Sequence, residues 1–308
     1  MNDADLALLE LLRRLDDEGY DFTPPTPLTH ARVIARPARS AGRTLRDILG
    51  WSLPFTRDAA PGWLVEALER GGALEPVGDR LKSRLRVSRL HGLLFLHSAF
   101  PTDQADAVFL GPDSYRFADF VGRELTGAET GRLLDIGGGA GAGALCAGRA
   151  APGLELWLTD INPKALRLAR INAAHAGQTL NLREASGVDG APEGLQLALA
   201  NPPYIAGADQ TYADGGGMHG GRLSLDWATA ALPKLAPGGR LLLYTGAAIL
   251  DGGRDPLKAA LSDLAARHGA AFRYQEIDPD VFGEELETPA YADVERIAAI
   301  GCVIQVRG

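Results

Sequence analysis

The chain has 308 residues, 46% of them hydrophobic, with a formal net charge of −8 and two cysteines. That length and apolar content suffice for two globular domains and exclude a disordered or low-complexity chain. No unbroken apolar stretch approaches the ~20 residues of a membrane helix, and Cys146 and Cys302, far apart among apolar neighbours, read as reduced core thiols and not as a disulfide framework.

The N-terminal stretch MNDADLALLELLRRLDDEGY predicts an acidic amphipathic helix with leucines on one face, without the pattern of a signal peptide, so a cytoplasmic protein is expected. Pro24, Pro25 and Pro27 predict a loop after it. Residues 31–89 hold twelve Lys/Arg against six Asp/Glu, a local +6, so the remainder carries −14. A helix is predicted over Trp63 to Arg70, followed by a dense basic run of Arg80, Lys82, Arg84, Arg86 and Arg89. The run leads into a predicted hairpin, Arg84 to Val87, His91-Gly92, then Leu93 to His97. A helix before a basic hairpin is loosely winged-helix-like. Either it docks on RNA phosphates or another anionic partner, or it is a solvated basic face over a structural hairpin.

Residues 1–108 are therefore expected to form a recognition domain and residues 109–308 a second one. The segment Phe109-Leu110-Gly111-Pro112-Asp113-Ser114-Tyr115-Arg116-Phe117 marks the junction, with a helix predicted from Ala118 to Leu125. Beyond it, short apolar runs alternate with helical patterns, the signature of a parallel α/β sheet. Arg132 to Ile136 runs into a glycine loop, residues 137–143. Leu154 to Thr159 ends at Asp160, and Asn162-Pro163 supplies an N-cap and first residue for a helix over Lys164 to Ala174. Leu195 to Ala200 reads as a buried strand. A glycine-rich loop from Ile205 to Gly221 is long enough to be a substrate lid or recognition loop. A helix over Leu223 to Leu235, a Pro-Gly-Gly turn and the strand Arg240 to Tyr244 follow, and Phe272 to Ile277 and Arg296 to Val306 predict closing strands.

The most informative element is the tetrapeptide Asn201-Pro202-Pro203-Tyr204. Two prolines end the preceding strand, since neither can donate to a ladder. The resulting stiff corner projects the Asn201 amide and nearby carbonyls past the carboxyl edge of the sheet, where open α/β sheets bind ligands. The Asn201 oxygen and the Pro202 carbonyl suit the two hydrogens of a planar NH2 group, with Tyr204 stacked on its plane. The glycine loop alone is weaker. Gly137, Gly139 and Ala142 also satisfy the dinucleotide pattern, and Asp160 suits the ribose of nicotinamide dinucleotides or of S-adenosylmethionine. The acceptor-lined corner separates the two, because hydride transfer has no use for it and methyl transfer to nitrogen does.

In this order of motifs the chain resembles the class I S-adenosylmethionine-dependent methyltransferases, in particular the Asn-Pro-Pro-Tyr branch of the small-domain enzymes that methylates planar nitrogens. The resemblance covers roughly Phe109 onwards. It implies an α/β fold, a Rossmann-like seven-stranded methyltransferase sheet, with a smaller, mainly helical N-terminal domain ending in a β-hairpin. It implies that Asp135, Gly137, Gly139 and Gly141 cradle the methionine part of S-adenosylmethionine and that Asp160 binds its ribose. Asp189 is the nearest acid for the adenine amino group, while Ser186 sits closer to the usual spacing. Tyr115, Arg116 and Phe117 would line the cofactor pocket. Asn201, Pro202, Pro203 and Tyr204 would carry catalysis, with no metal, because the six histidines lack ligand spacing. His219 reads as a solvated loop residue.

The glycines at 215–217, 220 and 221 resemble the segment after Asn-Pro-Pro-Tyr in the release-factor glutamine methyltransferases, which also have a helical N-terminal domain ending in a hairpin. That implies a protein substrate, a translation termination factor methylated on a glutamine amide. The alternative is an exocyclic amine of adenine or guanine in ribosomal or transfer RNA. A methyltransferase-like module that binds cofactor or RNA without catalysis is a third reading.

Overall fold

The computed structural model describes residues 1–207 and 214–308. In chain order it contains α1 (Asp3–Asp17), α2 (Pro27–Ile34), α3 (Gly62–Arg70), β1 (Leu74–Val77), β2 (Arg80–Ser83), β3 (Leu85–Leu90) and β4 (Leu93–Ser98). Then follow α4 (Pro112–Glu124), β5 (Thr130–Ile136), α5 (Ala142–Ala150), β6 (Gly153–Asp160), α6 (Pro163–His175), β7 (Leu180–Glu184) and β8 (Leu195–Ala200). The last elements are α7 (Arg222–Ala231), β9 (Leu235–Leu250), α8 (Pro256–Arg267), β10 (Ala271–Asp278) and β11 (Val294–Gln305). The chain divides into two compact units.

The first unit comprises Met1–Tyr115, Gly139–Cys146 and Asn162–Thr179. Asn2 and Asp5 close a capping box at the start of α1, each side chain accepting the other's backbone N–H. Leu8, Leu11, Leu12 and Leu15 of this helix are fully buried against α3 and α6. Each contributes about 1.5–3 kcal/mol by leaving water. Where the prolines predict only loop, the structure has α2. Pro27 opens it, since a first-turn residue needs no N–H, and the Thr26 hydroxyl caps Thr29 N–H. The expected hairpin is β3–β4, turned by His91 and Gly92 at φ 47° and 76°, both positive as a type I′ turn requires. A second hairpin, β1–β2, precedes it.

The basic run is engaged inside this unit. Arg80 donates to the Ser40 carbonyl (2.6 Å) and Lys82 to that of Phe100 (2.8 Å). Arg84 pairs with Glu75 at 3.3 Å. Arg86 is buried, 3.1 Å from His30 Nδ1, and Arg89 reaches Asp16 at 2.9 Å and the Tyr20 carbonyl at 2.7 Å. Of the two readings of this run, the structural one is favoured.

The second unit comprises Arg116–Gly138, Ala147–Ile161 and Leu180–Gly308, and carries a seven-stranded sheet in the order β10-β11-β9-β8-β5-β6-β7. β5 through β9 are parallel; β11 and β10 close one edge antiparallel, as expected. The strand order reverses between β5 and β8, the switch point where such sheets open toward ligands. Buried Leu134, Ile136, Ala198, Ala200, Leu241 and Leu243 pack against Ala228 and Ala231 of α7 and Leu257, Leu261 and Leu264 of α8. β7 and α8 have no counterpart in the sequence reading. Nor does the length of β9, which continues past the Pro-Gly-Gly corner on one side and past Tyr244 on the other.

α4 begins at Pro112, not Ala118, so Tyr115, Arg116 and Phe117 are helical. The reason is local: Pro112 is again a first-turn proline, and the Ser114 hydroxyl accepts Gly111 N–H. Cys146 and Cys302 are buried and not disulfide-bonded, and burial pushes the Cys302 thiol up to about 12. Among the described residues no helix is long and apolar enough to cross a membrane.

Candidate active site

Register fixes what meets at the open edge of the sheet. Ile136 pairs with Thr159 on one side and Ala200 on the other. Gly137, Asp160 and Asn201 therefore leave three adjacent strands at one level. With strands about 4.8 Å apart, Gly137 lies roughly 5 Å from each neighbour's backbone, and Asp160 and Asn201 lie about 10 Å from each other. The motifs that the sequence separates are brought together here by the strand order.

The rim around Gly137 is packed from one side. A Cβ at Gly137 would stand 2.3 Å from the Trp227 indole of α7, so the ring lies directly on the loop backbone. The same indole lies 3.7 Å from where a Cβ of Gly187 would be, and Gly187 itself accepts the Thr159 hydroxyl at 2.6 Å. Trp227 thus bridges the glycine loop and the turn carrying Ser186 and Asp189, both of which are exposed. Asp135 is buried and Asp160 half-buried.

In the first unit, the buried Asn172 of α6 donates to the Ala140 carbonyl (2.9 Å) and to the Leu96 carbonyl (3.1 Å) while accepting Leu96 N–H (2.8 Å). It ties the rest of the glycine loop to β4. Gly139 takes φ 55°, and among the described residues nothing but its own chain neighbours stands within 4 Å of where its Cβ would be.

Among the described residues, three segments pack on the corner after β8. Pro202 is buried, Asn201 and Pro203 are half-buried, and Tyr204 is 7% exposed. The Tyr204 ring lies on the backbone of β9: a Cβ at Gly246 would be 2.2 Å from it. Phe282 also meets the ring, edge-on at 5.7 Å between centroids. Tyr204, expected to stack on a substrate, has its ring packed on Gly246 and Phe282. Beyond it, Ile205 bridges to Asp214, Gly215 N–H donates to the Ile205 carbonyl (2.8 Å), and Ala206 N–H donates to the buried Tyr291 hydroxyl (2.8 Å). Gly220 approaches so closely that a Cβ there would lie 2.0 Å from the Tyr204 carbonyl. Residues 208–213 of the expected lid lie outside the described residues.

His219 is not a solvated loop residue. Its ring is largely covered, and Nε2 lies 2.9 Å from Asp293 Oδ1. That hydrogen bond holds the Asp293 carboxyl below the usual carboxylate range. Phe282, Tyr291 and Asp293 all come from the connection between β10 and β11, and none was anticipated. Of the residues of α4 expected to line the cofactor pocket, the Tyr115 hydroxyl donates to the Arg89 carbonyl (2.7 Å), Arg116 pairs with Asp278 (2.8 Å), and Phe117 packs on Tyr244.

Comparison with known proteins places these features among methyltransferases. The methyltransferase small domain family matches residues 118–244. The release factor glutamine methyltransferase of Deinococcus radiodurans is 33% identical over 265 residues, covering 85% of this chain and 90% of the relative. That of Moorella thermoacetica is 30% identical, covering 77% and 87%. The ribosomal RNA small subunit methyltransferase C of Pseudomonas aeruginosa is 32% identical over 168 residues, but covers only 54% of this chain and 42% of that protein. Among solved structures, P. horikoshii TYW2 in complex with MeSAdo shares the fold, with a TM-score of 0.51 over 80% of this chain and 83% of the other at 10% identity.

Proposed function

The chain belongs to the release factor glutamine methyltransferase family, and we propose that it methylates the side-chain amide nitrogen of a glutamine in a translation termination factor, in the cytoplasm. It is an S-adenosylmethionine-dependent methyltransferase. The observation that carries the reading is the common level of Gly137, Asp160 and Asn201 at the switch point.

The residues present fit the cofactor. Gly137, backed by the Trp227 indole, follows β5, and a half-buried carboxylate, Asp160, stands at the tip of the adjoining strand. Asp135, Gly137, Gly139 and Gly141 would hold the methionine part, Asp160 the ribose hydroxyls, and Asp189 or Ser186 the adenine edge. When bound, S-adenosylmethionine supplies an electrophilic methyl group on a sulfonium. The protein therefore needs alignment more than acid–base strength.

An amide nitrogen is a poor nucleophile because its lone pair is delocalised into the carbonyl. The Asn201 side-chain oxygen and the Pro202 carbonyl accept its two hydrogens in directions that suit a pyramidal nitrogen better than a planar one. They thereby favour the transition state over the ground state. Pro203 keeps the corner stiff, and Tyr204, clamped on Gly246 and Phe282, keeps both acceptors in place.

A nucleobase amine would fit the same corner, and the partial match to the ribosomal RNA enzyme keeps that acceptor as the alternative. The engagement of Arg80 to Arg89 inside the N-terminal unit weighs for protein. Radiolabelled cofactor supplied to an extract of cells lacking the enzyme decides between them. Label that resists ribonuclease and migrates with a protein of termination-factor size supports glutamine; label released by ribonuclease would replace it with a nucleobase.

A further inference from the structure

Resting on the methyltransferase reading above, we propose that His219 and Asp293 form a latch that positions the Asn201–Tyr204 corner for transfer. The two are 74 residues apart and meet at 2.9 Å. A carboxylate only accepts, so His219 Nε2 carries the proton that joins them. The latch is made at a backbone cost: Met218 and His219 lie in succession at φ 59° and 51°, a left-handed region that side chains disfavour. Such a pair persists only when its surroundings hold it; Gly220 N–H on the Gly216 carbonyl (3.1 Å) and Gly221 N–H on the Met218 carbonyl (3.0 Å) do so within the turn, and Asp293 does so from outside it.

What the latch holds is the corner itself. Gly220, next to His219, lies against the Tyr204 carbonyl, and Gly215 lies against both the Gly220 carbonyl and Tyr204 Cα. On the other side, two residues before Asp293, the Tyr291 hydroxyl accepts Ala206 N–H, and the Tyr291 and His219 rings lie 6.3 Å apart. The turn over residues 215–221 and the connection over residues 289–293 therefore grip the segment just after Tyr204 from two directions, and the His219–Asp293 bond joins the two grips. Neither residue touches the reacting atoms; both act through Tyr204.

Asp293 is exposed, so its substitution leaves the core intact. Asp293→Ala and His219→Ala are each expected to lower kcat about tenfold, as small misplacements of reacting groups do. The calorimetric Kd for S-adenosylmethionine should stay within about twofold. The double variant should be no slower than the slower single, because one bond is lost in each case. Asp293→Asn, whose amide oxygen still accepts from Nε2, should keep most of the activity. Hydrogen exchange reads the same latch without turnover: Asp293→Ala should lower protection at the Ala206 and Gly215 amides. Single variants with wild-type kcat, effects that multiply in the double, or unchanged exchange at those amides would overturn the proposal. A wild-type enzyme that methylates no protein would overturn the parent reading alone, with the exchange measurement still deciding the latch.

Discussion

Gly246→Ala is the sharpest perturbation of the corner that leaves its chemistry untouched. The new Cβ would stand 2.2 and 2.4 Å from two carbons of the Tyr204 ring. Carbon atoms rest at about 3.5–4.0 Å, so the ring must retreat by more than about 1 Å. Phe282 packs edge-on against the same ring, and Tyr204 is only 7% exposed, so the retreat is passed to the backbone of the corner. Overpacking of this kind costs about 1–3 kcal/mol of stability. A 1 Å displacement of the aligning groups costs about 100-fold in rate. The expectation is therefore a folded variant with a modestly lower Tm, nearly unchanged calorimetric affinity for S-adenosylmethionine, and kcat for methylation of a termination factor reduced about 100-fold. If labelled-methyl transfer by Gly246→Ala stays within about threefold of wild type, Tyr204 does not fix the corner and the reasoning from packing to rate is wrong.

Asp160→Ala should weaken cofactor binding by about tenfold or more, some 1.4 kcal/mol, in calorimetry, with a much smaller change in kcat at saturating cofactor. Trp227 lies on Gly137, so cofactor binding should change the intrinsic fluorescence, and Trp227→Phe should abolish most of that change while the other three tryptophans remain. Stability should fall in acid. His30 is buried and accepts from Arg86 on Nδ1; burial first, then the Arg86 charge, lower its pKa from 6.5 to about 4. Such a group stays neutral in the fold while the unfolded chain takes up the proton. No loss is expected above pH 6.5, and up to about 3 kcal/mol is lost as pH falls from there to about 4. Thermal unfolding followed across that range checks it, and His30→Gln should reduce the dependence, leaving the part due to buried His97, which burial also holds well below the usual imidazole range.

Much of the sheet was legible in the sequence because its signals are local. Leu195 to Ala200 is apolar but for Gln196 and is followed by two prolines just past Asn201, and the strand ends at Ala200. Asn162 caps α6 as its residue type and the following Pro163 predict. Prolines misled where they open helices instead of ending segments, at Pro27 and Pro112. The supports of the site were not legible, because topology alone brings them together. Phe282, Tyr291 and Asp293 reach the corner only because β10 and β11 fold back antiparallel, and Gly246 faces Tyr204 only because β9 outruns β8. The basic run left two readings open in the sequence, because its density alone does not say what its side chains meet; carbonyls and carboxylates of the same unit take several of them up.

The direct test of the corner's role is Asn201→Ala, assayed with labelled cofactor on purified termination factor and paired with calorimetry. Loss of one fixed acceptor should reduce kcat by about 100- to 1,000-fold while cofactor affinity holds. Methylation by Asn201→Ala near the wild-type rate would contradict the account.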